Sequence, residues 1–360
     1  MIEFKNKRIF FSGIGDQVNI EELKNYILKN DALFVDTIAE ANCIIEGDRT
    51  LPNIADDIYK AKLNGIEVIE LNFLEKQFTQ EFRFDSVLMA IKLSKDNERL
   101  LSLLKNKYFS DDMFVQLLKF YDWGGLDLYD NDENRDVCRQ ISLRFSTQNL
   151  SNHNIQYSPI GVYYAALETS NTQLLDLMYT MPSLSISFKN AKENQPLNLK
   201  EVVALNPNNS KTVQRQIIHN HQKRELYQLA CNTNIDDAIK QELKALNDNE
   251  ILKALLQSEN YLLANQSELE MIMSNDVLKK YFLQYQKFDD TLFELLMEKI
   301  SSDMEWIYLS KNSTLSTQML QKIEEHNIPN ATVNVLRHNR VDSNTVNKYL
   351  TLRDKIFNIA

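Results

Sequence analysis

The chain has 360 residues, of which 43% are hydrophobic and 25% charged, and its formal net charge is −10 with a pI near 5.2. This composition is typical of a folded protein, and the length allows two or three domains. The acidic balance opposes a broad grip on phosphate backbones, because such binding needs clustered Lys and Arg.

Neither export nor membrane insertion is predicted. The first residues, MIEFKNKR, lack the apolar core of a signal peptide, and the stretch IGVYYAAL at 160–167 is too short to span a bilayer. Cys43, Cys138 and Cys231 show neither CxxC nor CxxH spacing, so we expect reduced thiols and no metal or other cofactor. We therefore expect a soluble cytoplasmic protein without a membrane partner.

Glycine is confined to the first half of the chain. All seven glycines lie between residues 13 and 161, so the last 199 residues contain none. Glycine is the default residue where the backbone needs a positive φ, so this tract cannot be rich in tight hairpins or phosphate-cradling loops. It is predicted to be helical, with Asn in the left-handed positions at helix ends.

Residues 1–82 predict a small α/β domain. The predicted strands are RIFFS, ALFV, NCIIEG and EVIEL, and the predicted helices are IEELKNYILKN, IADDIYKAKLNG and NFLEKQF. This β-α-β-β-α-β-α order indicates a small parallel sheet covered by helices. We expect an irregular helical segment to follow at 83–200 and a helical-repeat solenoid at 201–360.

Four motifs of the first 82 residues resemble a BRCT domain: RIFFSG, ANCIIEGD, KAKLNGIEVIEL and FLEKQF. The most specific part is KAxxxGIxVI. This module closes bacterial NAD-dependent DNA ligases and occurs widely in DNA-damage signalling proteins. The resemblance therefore implies a binding module with a link to DNA repair or replication.

The first predicted strand ends on Ser12-Gly13, with a second glycine at Gly15. A dinucleotide fingerprint would need a third glycine where Val18 stands, and no Gly-Lys-Ser/Thr follows to form a Walker loop. In phosphopeptide-binding BRCT domains, residues that match Ser12 and Gly13 contact the phosphate. A lysine near the start of the second helix completes that pocket.

The lysine of that pocket is missing from this chain. Asp56 and Asp57 stand at the start of the helix, and only a nearby cation such as Arg49 or Lys60 could compensate. Residues 1–82 hold nine Lys and Arg against fifteen Asp and Glu, so the domain is acidic. We expect Ser12 to serve the strand exit and phosphopeptides not to bind.

The middle of the chain shows an apolar, polar, apolar rhythm at 103–120 and 165–180. Between these segments lies DWGGLDLYDNDENRD, at 122–136, which is rich in carboxylates. A calcium loop starting at Asp130 would need Gly and Glu where Arg135 and Ile141 stand. We therefore expect a solvated acidic loop rather than a calcium site.

The C-terminal tract repeats. Each of six segments has an apolar pair, a polar or Asn-rich break and a second amphipathic helix. The six apolar anchors are Ala204, Ala230, Leu256, Leu283, Leu309 and Leu336. Their spacings of 26, 26, 27, 26 and 27 residues predict a stacked helical solenoid. The unit ALNPNNS is similar to the leucine-rich variant repeat, and the array resembles HEAT repeats more loosely.

The breaks between the repeated helices predict turn and cap positions. Asn tolerates a positive φ and bonds its own backbone, which suits the breaks at Asn206, Asn208, Asn232, Asn234, Asn260 and Asn312. The predicted helix N-caps are Ser210, Asp236, Asp289 and Ser316. Asn265 and Glu268 have the spacing of a capping box.

Catalytic motifs are missing from the sequence. His219 and His221 are two residues apart and would point to different sides of a helix, and neither GxSxG nor HExxH occurs. Two interaction-type modules without such a motif favour a non-enzymatic adaptor that binds proteins.

The alternative function is that of a HEAT-like nucleic-acid-binding or base-repair protein. Its concave groove would be lined by Arg215, Lys223, Arg224, Arg337 and Arg340. The net charge of −10 disfavours nucleic acid as a partner, whereas a solvated outer face accounts for the same residues.

Overall fold

The computed structural model describes residues 2–147, 158–186, 188–189, 196–263 and 265–338. The chain divides into two compact units, and the boundary lies between residues 186 and 187. Within the described ranges, every helix is too short or too polar to cross a bilayer.

A four-stranded parallel sheet forms the start of the first unit. Its strands are β1 (Arg8–Ser12), β2 (Leu33–Phe34), β3 (Cys43–Glu46) and β4 (Glu67–Glu70), in the spatial order β2-β1-β3-β4. The register aligns Ser12 with Glu46 and Glu46 with Glu70. The small parallel sheet predicted from the sequence is confirmed.

Helices cover both faces of this sheet. They are α1 (Ile20–Lys29), α2 (Pro52–Leu63) and α3 (Leu71–Glu81). Cys43 and Ile45 pack in a buried cluster with residues of α1 and α3, whereas Ile44 packs with Ile58 and Ala61 of α2. Because side chains alternate along a strand, the apolar run of β3 supplies both cores at once.

Six more helices complete the first unit within the described residues. They are α4 (Phe84–Ser94), α5 (Asn97–Leu104), α6 (Asp111–Leu118), α7 (Asp132–Phe145), α8 (Ile160–Glu168) and α9 (Thr172–Thr180). The acidic segment predicted as one loop at 122–136 is partly helical, because α7 begins at Asp132. Asn131 caps this helix, and Asp132 and Glu133 favour its first turn through the helix dipole.

The described part of the second unit consists almost entirely of helices. They are α10 (Leu199–Leu205), α11 (Lys211–Asn220), α12 (Lys223–Cys231), α13 (Asp237–Ala245), α14 (Asn249–Gln257), α15 (Gln266–Ser274), α16 (Asp276–Tyr285), α17 (Asp290–Met297), α18 (Asp303–Leu309), α19 (Thr317–Glu325) and α20 (Pro329–His338). Each even-numbered helix contacts the next even-numbered helix. The helices α10, α12, α14, α16, α18 and α20 therefore form a continuous series.

The predicted anchors and caps occupy equivalent places in this series. One anchor lies in each of the six contacting helices; the first five are fully buried, and Leu336 is partly buried. Four helix N-caps are confirmed by hydrogen bonds to their side chains: Ser210, Asp236, Asp289 and Ser316. The Asn265 side chain likewise accepts the Glu268 N–H.

Buried asparagines join successive members of this series. We call this set, Asn206, Asn232, Asn260 and Asn312, the asparagine ladder. Asn232 Nδ2 donates to Ala204 O at 2.9 Å and to Asn206 O at 2.7 Å. Asn260 Nδ2 donates to Ala230 O and Asn232 O, and Asn312 Nδ2 to Leu283 O and Gln286 O. Each donor thus reaches carbonyls that lie 26 to 30 residues earlier.

The left-handed conformation predicted for these asparagines is wrong. Asn206 and Asn232 have φ of −70° and −69°, and the positive φ in this unit falls on residues such as His221 and Asn247. The predicted bond to their own backbone is present, because Asn232 Oδ1 accepts the Asn234 N–H at 2.8 Å. Helix carbonyls lack intrahelical donors at the C-terminus, and the extended backbone lets an asparagine supply donors to the neighbouring helix.

Gln286 interrupts the ladder, and restoring asparagine there should stabilise the second unit. Gln286 follows α16 with φ −64° and ψ 137°, close to the values of Asn206 and Asn232, but its Nε2 donates to Lys287 O instead. We expect Gln286→Asn to raise the free energy of unfolding by about 1 kcal/mol through buried hydrogen bonds. Urea unfolding followed by circular dichroism measures the change.

The matched control is Gln241→Asn on the exposed face of α13. It should lower stability by a few tenths of a kcal/mol, on the order of the helix-propensity difference between the two residues. If Gln286→Asn and Gln241→Asn lowered the free energy of unfolding equally, the interpretation that the ladder lacks an asparagine at position 286 would be contradicted.

Candidate binding site at the carboxyl edge of the sheet

A crevice of about 430 Å³ opens beside the carboxyl ends of the strands. The chain leaves β1 toward β2 on one side and leaves β3 toward β4 on the other, so the two loops diverge. In open parallel sheets, ligands bind outside the carboxyl ends of the strands at such a reversal. Residues 14–17 of the first loop and 47–50 of the second loop line this crevice.

Carboxylates outnumber cations in the lining of the crevice. The five carboxylates are Asp16, Glu46, Asp48, Glu70 and Glu75, and the two cations are Arg49 and Lys107. Glu46 and Glu70 are register partners on adjacent strands, where like charges destabilise each other. The crevice therefore favours a cation over an anion.

Glu75 of α3 anchors the loop that follows β1. It is 3% exposed, and its Oε1 accepts the N–H groups of Gln17 at 3.0 Å and Val18 at 3.2 Å. Burial raises the pKa of Glu75, and these hydrogen bonds hold back the rise. A Cβ at Gly15 would lie 2.5 Å from Glu75 Oε1, which explains the second glycine of the motif.

Ser12 and Gly13 are packed against the loop that follows β3. Ser12 is 8% exposed, and its hydroxyl lies 3.4 Å from Thr50 Oγ1, which donates to Gly47 O at 3.0 Å. Gly13 has φ +89°, and a Cβ there would lie 2.6 Å from the carbonyl of Gly47. These contacts pack both residues against the loop that follows β3, and the role of Ser12 at the strand exit stays a prediction.

The structure separates the two cations considered for a phosphate pocket. Arg49 is exposed and lines the crevice, whereas Lys60 lies on α2 with its ammonium 3.0 Å from Asp57 Oδ1. Lys107, between α5 and α6, is a lining residue that sequence reasoning missed. Its N–H donates to Gln17 Oε1, a contact across 90 residues that leaves no local signal.

Two predicted groove cations of the second unit form ion pairs. Arg224 Nη2 lies 2.9 Å from Oε2 of the buried Glu201, and Lys223 Nζ lies 2.8 Å from Asp248 Oδ2. The hydrogen bond from Lys223 lowers the pKa of Asp248. Each partner lies about one repeat period away in the sequence. Both cations therefore pair with a neighbouring helix or its cap and do not line a free surface.

The other three groove candidates are dispersed along the chain. Arg215 is exposed on α11 and Arg337 is exposed on α20, and neither forms an ion pair with another described residue. Arg340 lies outside the described residues. Nucleic-acid binding therefore stays a prediction that depends on Arg215 and Arg337.

Substitution of Gly13 should destabilise the first unit more than substitution of Gly65. Both glycines have a positive φ, +89° and +86°, but no atom lies within 4 Å of a Cβ at Gly65. We expect Gly65→Ala to cost about 1 kcal/mol, and Gly13→Ala at least about 2 kcal/mol more because the Gly47 carbonyl must move. Thermal unfolding compares the two, and equal losses would contradict the close approach.

Loss of Arg224 should destabilise the second unit in a pH-dependent manner. Burial raises the pKa of Glu201, whereas a backbone hydrogen bond and the Arg224 charge lower it, so Arg224→Gln raises it further. Above its ordinary pKa, the unfolded carboxyl is ionised while the folded one retains its proton. Stability is therefore lost as pH rises through the folded pKa.

We expect Arg224→Gln to cost about 1 to 3 kcal/mol at about pH 7 and much less at about pH 4. Urea unfolding at both pH values measures the difference. Arg215→Gln, an exposed change on the adjacent helix, should cost little at either pH. A loss that is the same at the two pH values would contradict the pairing with Glu201.

Among the described residues, no three His, Cys, Asp or Glu side chains lie close enough together to hold a metal ion. No protein-family model, curated protein or solved structure matches the chain. The likeness to BRCT domains and to leucine-rich variant or HEAT repeats therefore stays a prediction.

Proposed function

We propose that the chain is a non-enzymatic adaptor whose second unit is a helical-repeat solenoid that binds other proteins. The observation that carries this proposal is the recurrence of the asparagine ladder. The same side chain joins one helix to the helix one period earlier at Asn232, Asn260 and Asn312. Units that stack on their neighbours in this way create an extended surface suited to protein binding.

Ion pairs recur at the same period and support the stacked arrangement. The pairs formed by lysines are Lys211–Asp236, Lys223–Asp248, Lys244–Glu268, Lys279–Glu305, Lys287–Glu259, Lys299–Glu270 and Lys322–Glu294. Each pair joins residues 24 to 29 positions apart. Lysines that are neutralised within the array contribute little to a positive groove, which favours a protein partner over nucleic acid.

An aromatic surface on α14, α16 and α18 is the best candidate for contact with a partner. We call Lys253, Lys280, Tyr281, Tyr285 and Tyr308 the tyrosine stripe. Lys253 Nζ lies 5.1 Å from the Tyr281 ring centroid, and Lys280 Nζ lies 5.5 Å from Tyr281 and 5.7 Å from Tyr308. The Tyr281 and Tyr285 rings are stacked, and their centroids lie 6.3 Å apart.

Exposed apolar side chains on the same helices extend this surface. Val277 of α16 and Met304 of α18 are 49% and 52% exposed. Tyrosine and methionine are enriched at protein interfaces, and rigid aromatic residues frequently dominate their binding energy. The stripe therefore supports protein binding on the helices that carry the ladder.

The first unit is the reason for proposing a link to DNA repair or replication. Its parallel sheet and covering helices occur where the alternating strand and helix patterns predicted them. The same residues carry the resemblance to BRCT domains. A link with DNA repair or replication follows from that resemblance alone.

The test begins with affinity purification of the tagged chain, followed by titration calorimetry with each purified partner. A double variant, Lys280→Glu with Tyr281→Ala, should weaken binding at least about tenfold because it reverses one charge and removes one aromatic anchor. The matched control is Lys62→Glu with Tyr59→Ala on α2, where both side chains are exposed.

The control should retain binding, and both variants should keep the melting temperature of the parent chain. Recovery of no protein partner, together with metabolite turnover, would overturn the adaptor. Salt-dependent retardation of duplex DNA, lost in Arg215→Glu, would favour the nucleic-acid alternative instead.

A further inference from the structure

We propose that the tyrosine stripe binds an acidic segment of a partner protein, with a carboxylate at Lys280 and an aliphatic side chain against α16 and α18. The proposal rests on the adaptor function and gives its partner a stated chemistry, Asp or Glu beside leucine. The chain has a net charge of −10, so a site for acidic residues needs a local cause. Lys280 supplies that cause.

Lys280 is the cation of the stripe that has no carboxylate of its own. It forms no ion pair with another residue that the structure describes. The neighbouring Lys279 is paired with Asp276 at 3.1 Å and with Glu305 at 2.9 Å, and Lys253 is paired with a carboxylate one turn earlier on α14. An ammonium without an internal counter-ion leaves room for a carboxylate of the partner, and complementary charges of this kind direct association.

Two aromatic rings hold this ammonium in place. Lys280 Nζ lies 5.5 Å from the Tyr281 ring centroid and 5.7 Å from that of Tyr308 on the next helix of the series. Cation–π attraction at these distances restricts the lysine side chain, so less entropy is lost when a carboxylate binds. The hydroxyls of Tyr285 and Tyr308 form no hydrogen bond with another described residue, and a carboxylate oxygen accepts hydrogen bonds from such groups.

Apolar side chains flank Lys280 on both helices. Val277 and Tyr281 lie four residues apart on α16, and Met304 and Tyr308 lie four residues apart on α18. Residues at this spacing share one side of a helix, so each pair forms a short ridge. The second pair follows the first by 27 residues, which is one repeat period. Lys280 contacts a ring of each ridge, so a carboxylate bound there has apolar atoms on both sides.

Nucleic acid fits this surface less well than an acidic protein segment. Phosphate binding grows with the number of uncompensated cations, and one of the two lysines in the stripe is already paired. The exposed side chains of Val277 and Met304 fit an aliphatic group of a partner. A partner segment in which Asp or Glu stands beside leucine therefore uses both parts of the surface.

The probe is a fluorescein-labelled peptide, Gly-Ser-Leu-Asp-Glu-Leu-Leu-Asp-Ser-Gly, titrated with the full-length chain and followed by fluorescence anisotropy. A second peptide replaces Asp by Asn and Glu by Gln, which keeps the shape and removes the charge. We expect the neutral peptide to bind at least about tenfold more weakly, as for loss of a charge-assisted hydrogen bond.

Two single-charge variants separate the stripe from the general charge of the chain. Lys280→Met keeps the length of the side chain but removes its charge, and it should weaken the acidic peptide about tenfold. The matched control, Lys62→Met, removes an exposed lysine of α2 that forms no ion pair with a described residue, and it should change binding less than about twofold. Met304→Asp, at a position that is 52% exposed, replaces Lys280→Met if the latter lowers the melting temperature.

Four results would overturn the proposal. They are no binding of the acidic peptide, equal binding of the neutral peptide, equal losses in Lys280→Met and Lys62→Met, or displacement of the peptide by an equal concentration of a short oligothymidine. If a purified partner binds through the stripe while the acidic peptide does not, the partner chemistry is wrong and the adaptor function stands. If the peptide binds but affinity purification recovers no protein partner, the adaptor function fails and the stripe chemistry stands.

Discussion

The second unit depends on one interaction, the donation of a buried asparagine amide to two backbone carbonyls of the preceding repeat. Carbonyls at a helix C-terminus lack intrahelical donors, and leaving them buried and unpaired is costly. Asn232 donates to Ala204 O and Asn206 O, each of which also accepts a hydrogen bond from Asn209, while its own Oδ1 accepts the Asn234 N–H and orders the next turn. The contact therefore orders the turn that follows α12 and links this turn to the end of α10.

The charged groups of the two units have different surroundings. In the helical array, the buried Glu201 is paired with Arg224, and Lys279 is paired with Glu305. At the crevice, Glu75 accepts the N–H groups of Gln17 and Val18, and carboxylates outnumber cations in the lining. The helical series therefore carries charges that are paired between its own helices, whereas the crevice beside the sheet carries net negative charge.

Local features were predictable from the sequence, and long-range pairings were not. Strands and N-caps such as Ser210 depend on a few adjacent residues, and the structure confirms them. The role of Asn232 depends on carbonyls more than twenty residues earlier. Its place in the break after a helix was predicted, but the predicted left-handed backbone conformation was wrong. Lys223 was predicted as a groove residue because its partner Asp248 is not adjacent in sequence. Glu75 and Lys107 were missed because the β1 loop joins them only in the fold.

Amide hydrogen exchange of the asparagine side chains, followed by NMR on the deuterated full-length chain, tests the ladder most directly. The Nδ2 protons of Asn232, Asn260 and Asn312 should exchange about a hundredfold more slowly than the Nε2 protons of Gln286, because ladder protons exchange only when the repeats open. Gln286 serves as the internal reference. Equal exchange rates for the ladder asparagines and Gln286 would contradict the claim that these amides join the repeats.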